Sequence, residues 1–149
     1  MRVDFYHLQK QVLEDVLPKL LEKAYVTGKK IKVKVGNEAR VDFLNSLFWT
    51  YNDEAFLPHG SKKDGNADLQ PIWLSADEDN PNDGEFLFLV DGATETPEVL
   101  EKFERIFNIF DGNSNEALNK AREFWKQLKS ANVELHYWQQ SSDGRWSEK

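Results

Sequence analysis

Apolar and polar positions recur along this chain with two periods, one near two residues and one near 3.6, and they take turns. Val3-Asp4-Phe5-Tyr6 is β-branched and aromatic and reads as a first strand. Val12, Leu13, Val16, Leu17, Leu20, Leu21 and Ala24 then follow i, i+3, i+4 spacing, which predicts a helix, with Pro18 as a point of kinking. Gly28 stands where a C-terminal cap belongs, with Lys23 and Lys29 near the negative end of the helix dipole. Lys30-Ile31-Lys32-Val33-Lys34-Val35 alternates strictly and predicts a strand with one face on the core. Its lysine face has two readings: a solvated or edge-strand face that blocks stray pairing, or a stripe that tracks phosphates.

Asn37 caps a second helix with Val41, Leu44, Leu47 and Phe48 on its apolar positions. Phe56-Leu57-Pro58 is extended, residues 60–68 form a polar loop, and Ile72-Trp73-Leu74 resumes as a strand. The unbroken run Phe86-Leu87-Phe88-Leu89-Val90 marks a central strand covered on both faces. Pro97 opens a third helix through Val99, Leu100, Phe103 and Ile106, and a short apolar piece ends near Phe110. Ser114 or Asn115 opens a fourth helix to about Ala131, and residues 133–138 form a last strand. Residues 141–149 read as a flexible tail after a domain spanning 1–140. Strands and helices alternate with no internal repeat, which predicts one three-layer α/β domain with a mixed, mainly parallel sheet.

Composition narrows the class. The chain has 149 residues, 40% hydrophobic and 30% charged, a soluble single-domain profile. It has no cysteine, which removes disulfides, thiolate metal sites and cysteine nucleophiles. No apolar run reaches membrane-spanning length, and the start lacks a signal peptide's apolar block, so a cytoplasmic protein is expected. The net charge of −7 disfavours broad nucleic-acid binding, but it is unevenly spread. Residues 19–40 hold seven basic and two acidic side chains, whereas residues 77–101 hold nine acidic and none basic.

Candidate chemistry is mostly of the excluded kind. None of the strand ends, at His7-Leu8-Gln9-Lys10, Gly36-Asn37-Glu38-Ala39 or Asp91-Gly92-Ala93-Thr94-Glu95, has the glycines of a phosphate cradle, so no cofactor is expected. His7, His59 and His136 stand apart without metal-ligand spacing and read as surface or hydrogen-bonded structural residues. The acidic stretch at 77–84 lacks a closing glutamate and is broken by Pro81, so it reads as a solvated loop. No serine sits in a nucleophile elbow. Catalytic residues and metal are therefore both expected to be absent.

The informative stretch is the fourth helix. Ala117, Leu118, Ala121, Phe124 and Leu128 fall on one stripe, Arg122, Lys126 and Lys129 on the adjoining face, and Trp125 on the seam. Cations beside an open indole suit an acidic peptide with an apolar side chain or a terminal carboxylate. The plain alternative is a hydrated basic face with Trp125 in the core. Trp49, Tyr51 and Phe56 cannot all point inward, which suggests an exposed apolar patch.

Three segments in order, Val3-Asp4-Phe5-Tyr6-His7-Leu8, then Leu47-Phe48-Trp49 with Phe56-Leu57-Pro58-His59, then Ala121-Arg122-Glu123-Phe124-Trp125-Lys126, resemble the chi subunit of bacterial DNA polymerase III. The likeness runs over nearly the whole chain. It implies a Rossmann-like α/β fold that binds no nucleotide and a non-catalytic accessory subunit of the clamp-loader assembly. It implies two partners: the acidic C-terminal tail of single-stranded DNA-binding protein, and the psi subunit or clamp loader. By matching position, Arg122, Trp125, Lys126 and Lys129 would bind the tail, with Trp49 and Phe56 as apolar surface nearby. Trp125 stands where tyrosine is common, which keeps the aromatic face and alters its hydrogen bond. The competing function is direct binding of single-stranded nucleic acid by Lys30, Lys32 and Lys34. A nucleotide-dependent enzyme on a degenerate scaffold ranks last.

Overall fold

A computed structural model describes residues 1–52 and 57–149. In chain order the elements are β1 (Arg2–Leu8), α1 (Leu13–Tyr25), β2 (Ile31–Val35), α2 (Glu38–Thr50), β3 (Ile72–Ser75), β4 (Phe86–Val90), α3 (Pro97–Leu100), β5 (Arg105–Asp111), α4 (Asn115–Ser130), β6 (Glu134–Gln140) and β7 (Trp146–Glu148). The described strands form one seven-stranded sheet in the order β3-β2-β4-β5-β1-β6-β7. Every pairing is parallel except β6 with β7. The architecture is a three-layer α/β domain with a mixed, mainly parallel sheet.

Alternation along the strands sorts the core into two halves. Ile31, Val33, Val35, Phe88, Val90, Phe107, Ile109 and Tyr6 pack beneath Val16, Leu17 and Leu21 of α1 and Val41, Leu44 and Phe48 of α2. Val3, Phe5, Leu87, Leu89, Ile106 and Phe110 pack on the opposite face, under Leu100 of α3 and Ala121 and Leu128 of α4. Helix α2 is capped by Asn37 as read from sequence, and of the two residues expected to open α4 it is Ser114 that caps it. Asn37 Oδ1 accepts the Arg40 amide at 3.0 Å, and Ser114 Oγ accepts the Ala117 amide at 3.2 Å.

Four expectations are corrected. The third helix ends at Leu100, and Ile106 lies in β5, paired with Val3 and Leu87. Val99, Leu100, Phe103 and Ile106 mimic a helical stripe because β5 is apolar on both faces, which hides its period of two. The lysine strand β2 is no edge: it pairs with β3 and β4. Lys32 is 2% exposed, and its ammonium donates to Ser75 Oγ at 2.6 Å, Asp77 O at 3.1 Å, Asp79 Oδ1 at 2.8 Å and the Asp79 carbonyl. Lys34 is held by Glu95 at 2.7 Å and by Thr94 O at 2.8 Å. Third, the acidic loop is accordingly not wholly solvated, since Asp79 folds back to Lys32 and accepts the Trp73 indole N–H at 3.2 Å. Finally, residues 141–149 contain β7, whose Trp146 packs edge-on against Tyr6 at 5.3 Å, so the end of the chain is not a frayed tail throughout.

Candidate functional site

Helix α4 lies across the sheet with Ala121 and Leu128 buried and Phe124 and Trp125 half-buried. The Trp125 indole meets Phe5 edge-on at 5.1 Å and Tyr137 edge-on at 5.7 Å, leaving part of the ring at the surface. Arg122, Lys126 and Lys129 are all exposed beside it. Among the described residues no carboxylate forms an ion pair with Arg122 or Lys129. Lys126 has only Glu123 at 3.8 Å, on the same helix, with both side chains at least 70% exposed. An exposed contact of that length holds neither group firmly. These four residues therefore form one ridge, cationic and partly aromatic.

Two further residues complete the ground beneath it. Tyr137 of β6 and His7 of β1 share a face of the sheet, and the Tyr137 hydroxyl is 2.7 Å from His7 Nδ1. Burial lowers the His7 pKa from its ordinary value, and the Arg122 charge lowers it further. Burial raises the Tyr137 pKa, with Arg122 acting against the rise. Sequence reading placed His7 as structural and passed over Tyr137. The signal was the shared alternation of β1 and β6, but it becomes readable only through the parallel register Phe5↔Tyr137.

Of the other two candidate residues, the described one falls elsewhere. Trp49 lies on α2, on the opposite face of the sheet and toward the β3 end, with its ring 4.1 Å from the His59 ring. It does not lie near α4, which corrects the expectation that it supplies neighbouring apolar surface. Phe56 lies outside the described residues. Trp49 at 50% exposure and Phe43 at 49% give α2 an apolar outer side, with the Arg40 guanidinium 4.9 Å from the Phe43 ring centre.

A crevice of about 710 Å³ opens at the carboxyl ends of β1 and β5, where α1 and α4 depart to opposite faces. Parallel α/β sheets commonly bind ligands at such a switch point. Here the loop amides of Gln9, Lys10 and Gln11 already donate to Oε1 of buried Gln140, at 3.4, 3.0 and 3.0 Å. Arg40 at the mouth is held by Glu14 and by Asp91 at 3.0 Å. Those three amides and the Arg40 guanidinium are thus engaged within the protein. Among the described residues no group of three or more His, Asp or Glu is arranged to hold a metal, and no helix is long and apolar enough to cross a membrane.

Comparison with known proteins agrees over the same span. The family description "DNA polymerase III chi subunit, HolC" matches residues 1–136. The chain is 29% identical over 129 residues to the "Probable DNA polymerase III subunit chi" of Rickettsia prowazekii, covering 82% of this chain and 78% of that protein. It is 28% identical over 109 residues to the "DNA polymerase III subunit chi" of Pseudomonas aeruginosa, covering 70% and 73%. The chain belongs to the family of the DNA polymerase III chi subunit, a replication accessory subunit.

Proposed function

We propose that this chain is a non-catalytic adaptor that binds the acidic C-terminal tail of single-stranded DNA-binding protein on α4 and links it to DNA polymerase III. One observation supports this most: Arg122 and Lys129 stand exposed without an acidic partner among the described residues, on either side of a half-buried indole. Arg122 offers a planar fork to a carboxylate, the two lysines act as point charges, and Trp125 with its aromatic neighbours takes an apolar side chain. The chain's overall acidity does not oppose this, because none of the acidic run at 77–101 pairs with Arg122, Lys126 or Lys129 among the described residues, and Asp79 and Glu95 of that run are held by Lys32 and Lys34.

The second partner, a psi subunit or the clamp loader itself, is assigned to the outer side of α2 around Phe43 and Trp49. The support is the exposed apolar area there, on the sheet face opposite α4. An adaptor needs two separate surfaces, and this arrangement would let both partners bind at once. Direct binding of single-stranded nucleic acid through Lys30, Lys32 and Lys34 is not retained, since Lys32 is buried and Lys34 is paired.

The test is calorimetry with a tail peptide from single-stranded DNA-binding protein. Binding in the micromolar class that weakens with salt is expected, with Arg122→Ala and Lys126→Glu each reducing affinity while the melting temperature holds. Unchanged affinity in both variants would refute the assignment.

A further inference from the structure

Behind the α4 ridge, His7 is buried against Phe110 at 5.1 Å between ring centres and against the Gly112 backbone. The fit is close enough that a Cβ at position 112 would stand 2.0 Å from the imidazole. The Nδ1 side meets the Tyr137 hydroxyl, and Tyr137 in turn braces Trp125. The Nε2 side is sealed from solvent beside Gly112, short of a well-formed hydrogen bond. The charged and titratable groups that act on His7 are Arg122 from α4, Asp111 from the end of β5 and Tyr137 from β6.

A neutral imidazole has one N–H, and the relay uses the tautomer that carries it on Nε2, beside Gly112, with Nδ1 facing the Tyr137 hydroxyl. Nδ1 then accepts the Tyr137 proton, and the hydroxyl has no proton left for a guest. When His7 takes a second proton, Nδ1–H must donate. The Tyr137 oxygen accepts it, and its own proton is free to point outward. We propose that Tyr137, turned by His7, is a second hydrogen-bond donor for the carboxylate that Arg122 binds, so that docking of an acidic peptide takes up one proton from solvent onto His7.

This rests on the α4 ridge as the docking surface and adds its positioning residue. Burial and the Arg122 charge together hold His7 in the neutral form, and a guest carboxylate that accepts the Tyr137 proton makes the second proton on His7 favourable. Docking and protonation are therefore coupled in both directions.

The experiment is titration calorimetry of the full chain with acetyl-Glu-Asp-Glu-Asp-Leu-Phe bearing a free carboxyl terminus. It is run from about pH 8 to about pH 5.5 in two buffers of different ionisation enthalpy, the range in which a histidine titrates. Affinity about fivefold higher at the acid end, with net proton uptake, is expected from one added charge at this range. Tyr137→Phe keeps the ring and should abolish both the slope and the uptake, as should His7→Gln. If His7→Gln fails to fold, Tyr137→Phe decides alone. A flat profile in the parent chain, or a slope that survives Tyr137→Phe, would overturn the relay. Binding that depends on Arg122 yet shows no slope rejects the relay and leaves the α4 surface standing. No binding at all by the parent chain rejects both.

Discussion

Lys32→Ala is the substitution that separates a structural lysine from a DNA-contacting one. The side chain is 2% exposed, and its ammonium has four oxygen partners from Ser75, Asp77 and Asp79. Burial lowers its pKa more than Asp79 restores it. The Asp79 carboxyl, which burial alone would raise, is brought below its ordinary value by hydrogen bonds from Lys32 and Ser75. The two directions agree physically, because the lysine is the more deeply buried partner and bears more of the desolvation. Removing it strands the Asp79 carboxylate, loses the Ser75 contact and empties the space of the aliphatic stem. A fully buried pair broken in this way costs about 3–5 kcal/mol. Asp79 is 37% exposed and water can partly replace the ammonium, so the loss should be about 2–3 kcal/mol. For a domain of this length that lowers the melting temperature by about 4–12 °C. Urea unfolding and a melting curve measure it, and a gel shift with single-stranded DNA runs beside them. A melting point unchanged by Lys32→Ala together with lost DNA binding would refute the reasoning and restore the phosphate-stripe alternative.

Other outcomes follow from the same contacts. Asp4 is fully buried and accepts from Arg2 at 3.0 Å, Arg105 at 2.8 Å and Trp138 at 3.0 Å. Burial raises its pKa, but these donors bring it below the ordinary value. Its stabilisation is therefore full above the unfolded carboxyl value and lost as pH falls through the lower folded value, so Asp4→Asn should depress the neutral-pH melting temperature and close the gap to the parent in acid. His136 sits between Glu134 at 2.9 Å and Glu148 at 2.7 Å, joining β6 to β7, and both raise its pKa. That contribution is present below the unfolded histidine value and fades as pH rises through the folded one; melting curves across this window should fall by about 1–2 °C in the parent and stay flat in His136→Gln. Gly112→Ala forces a Cβ onto His7 and should destabilise the fold by about 1–3 kcal/mol in urea titration. Trp49→Ala should leave tail-peptide affinity unchanged in calorimetry, because α2 lies on the face away from α4.

Local signals in the sequence were strong enough to place the cap Asn37, to narrow the start of α4 to Ser114 or Asn115, and to place the doubly covered strand β4 and the seam position of Trp125. What failed depended on partners distant in sequence. The β2 lysines alternate as an edge strand would, and it takes the 77–83 loop folded over Lys32, and Thr94 and Glu95 beside Lys34, to engage two of them inside the protein. Ile106 kept helical spacing by coincidence, because both faces of β5 are apolar. Tyr137 and His7 come together through a strand pairing across 130 residues that no local pattern announces. The separation of Trp49 from α4 likewise follows from which face each crossover takes, a property of the topology.

The five tryptophans supply the most direct test of the α4 assignment. In a chain labelled with 5-fluorotryptophan and assigned by single substitutions, fluorine NMR is recorded while a tail peptide of single-stranded DNA-binding protein is added. The Trp125 resonance should move saturably, with Trp49 unmoved on the opposite face. A Trp125 signal that stays fixed while Trp49 shifts, or while the peptide demonstrably binds, would contradict the account.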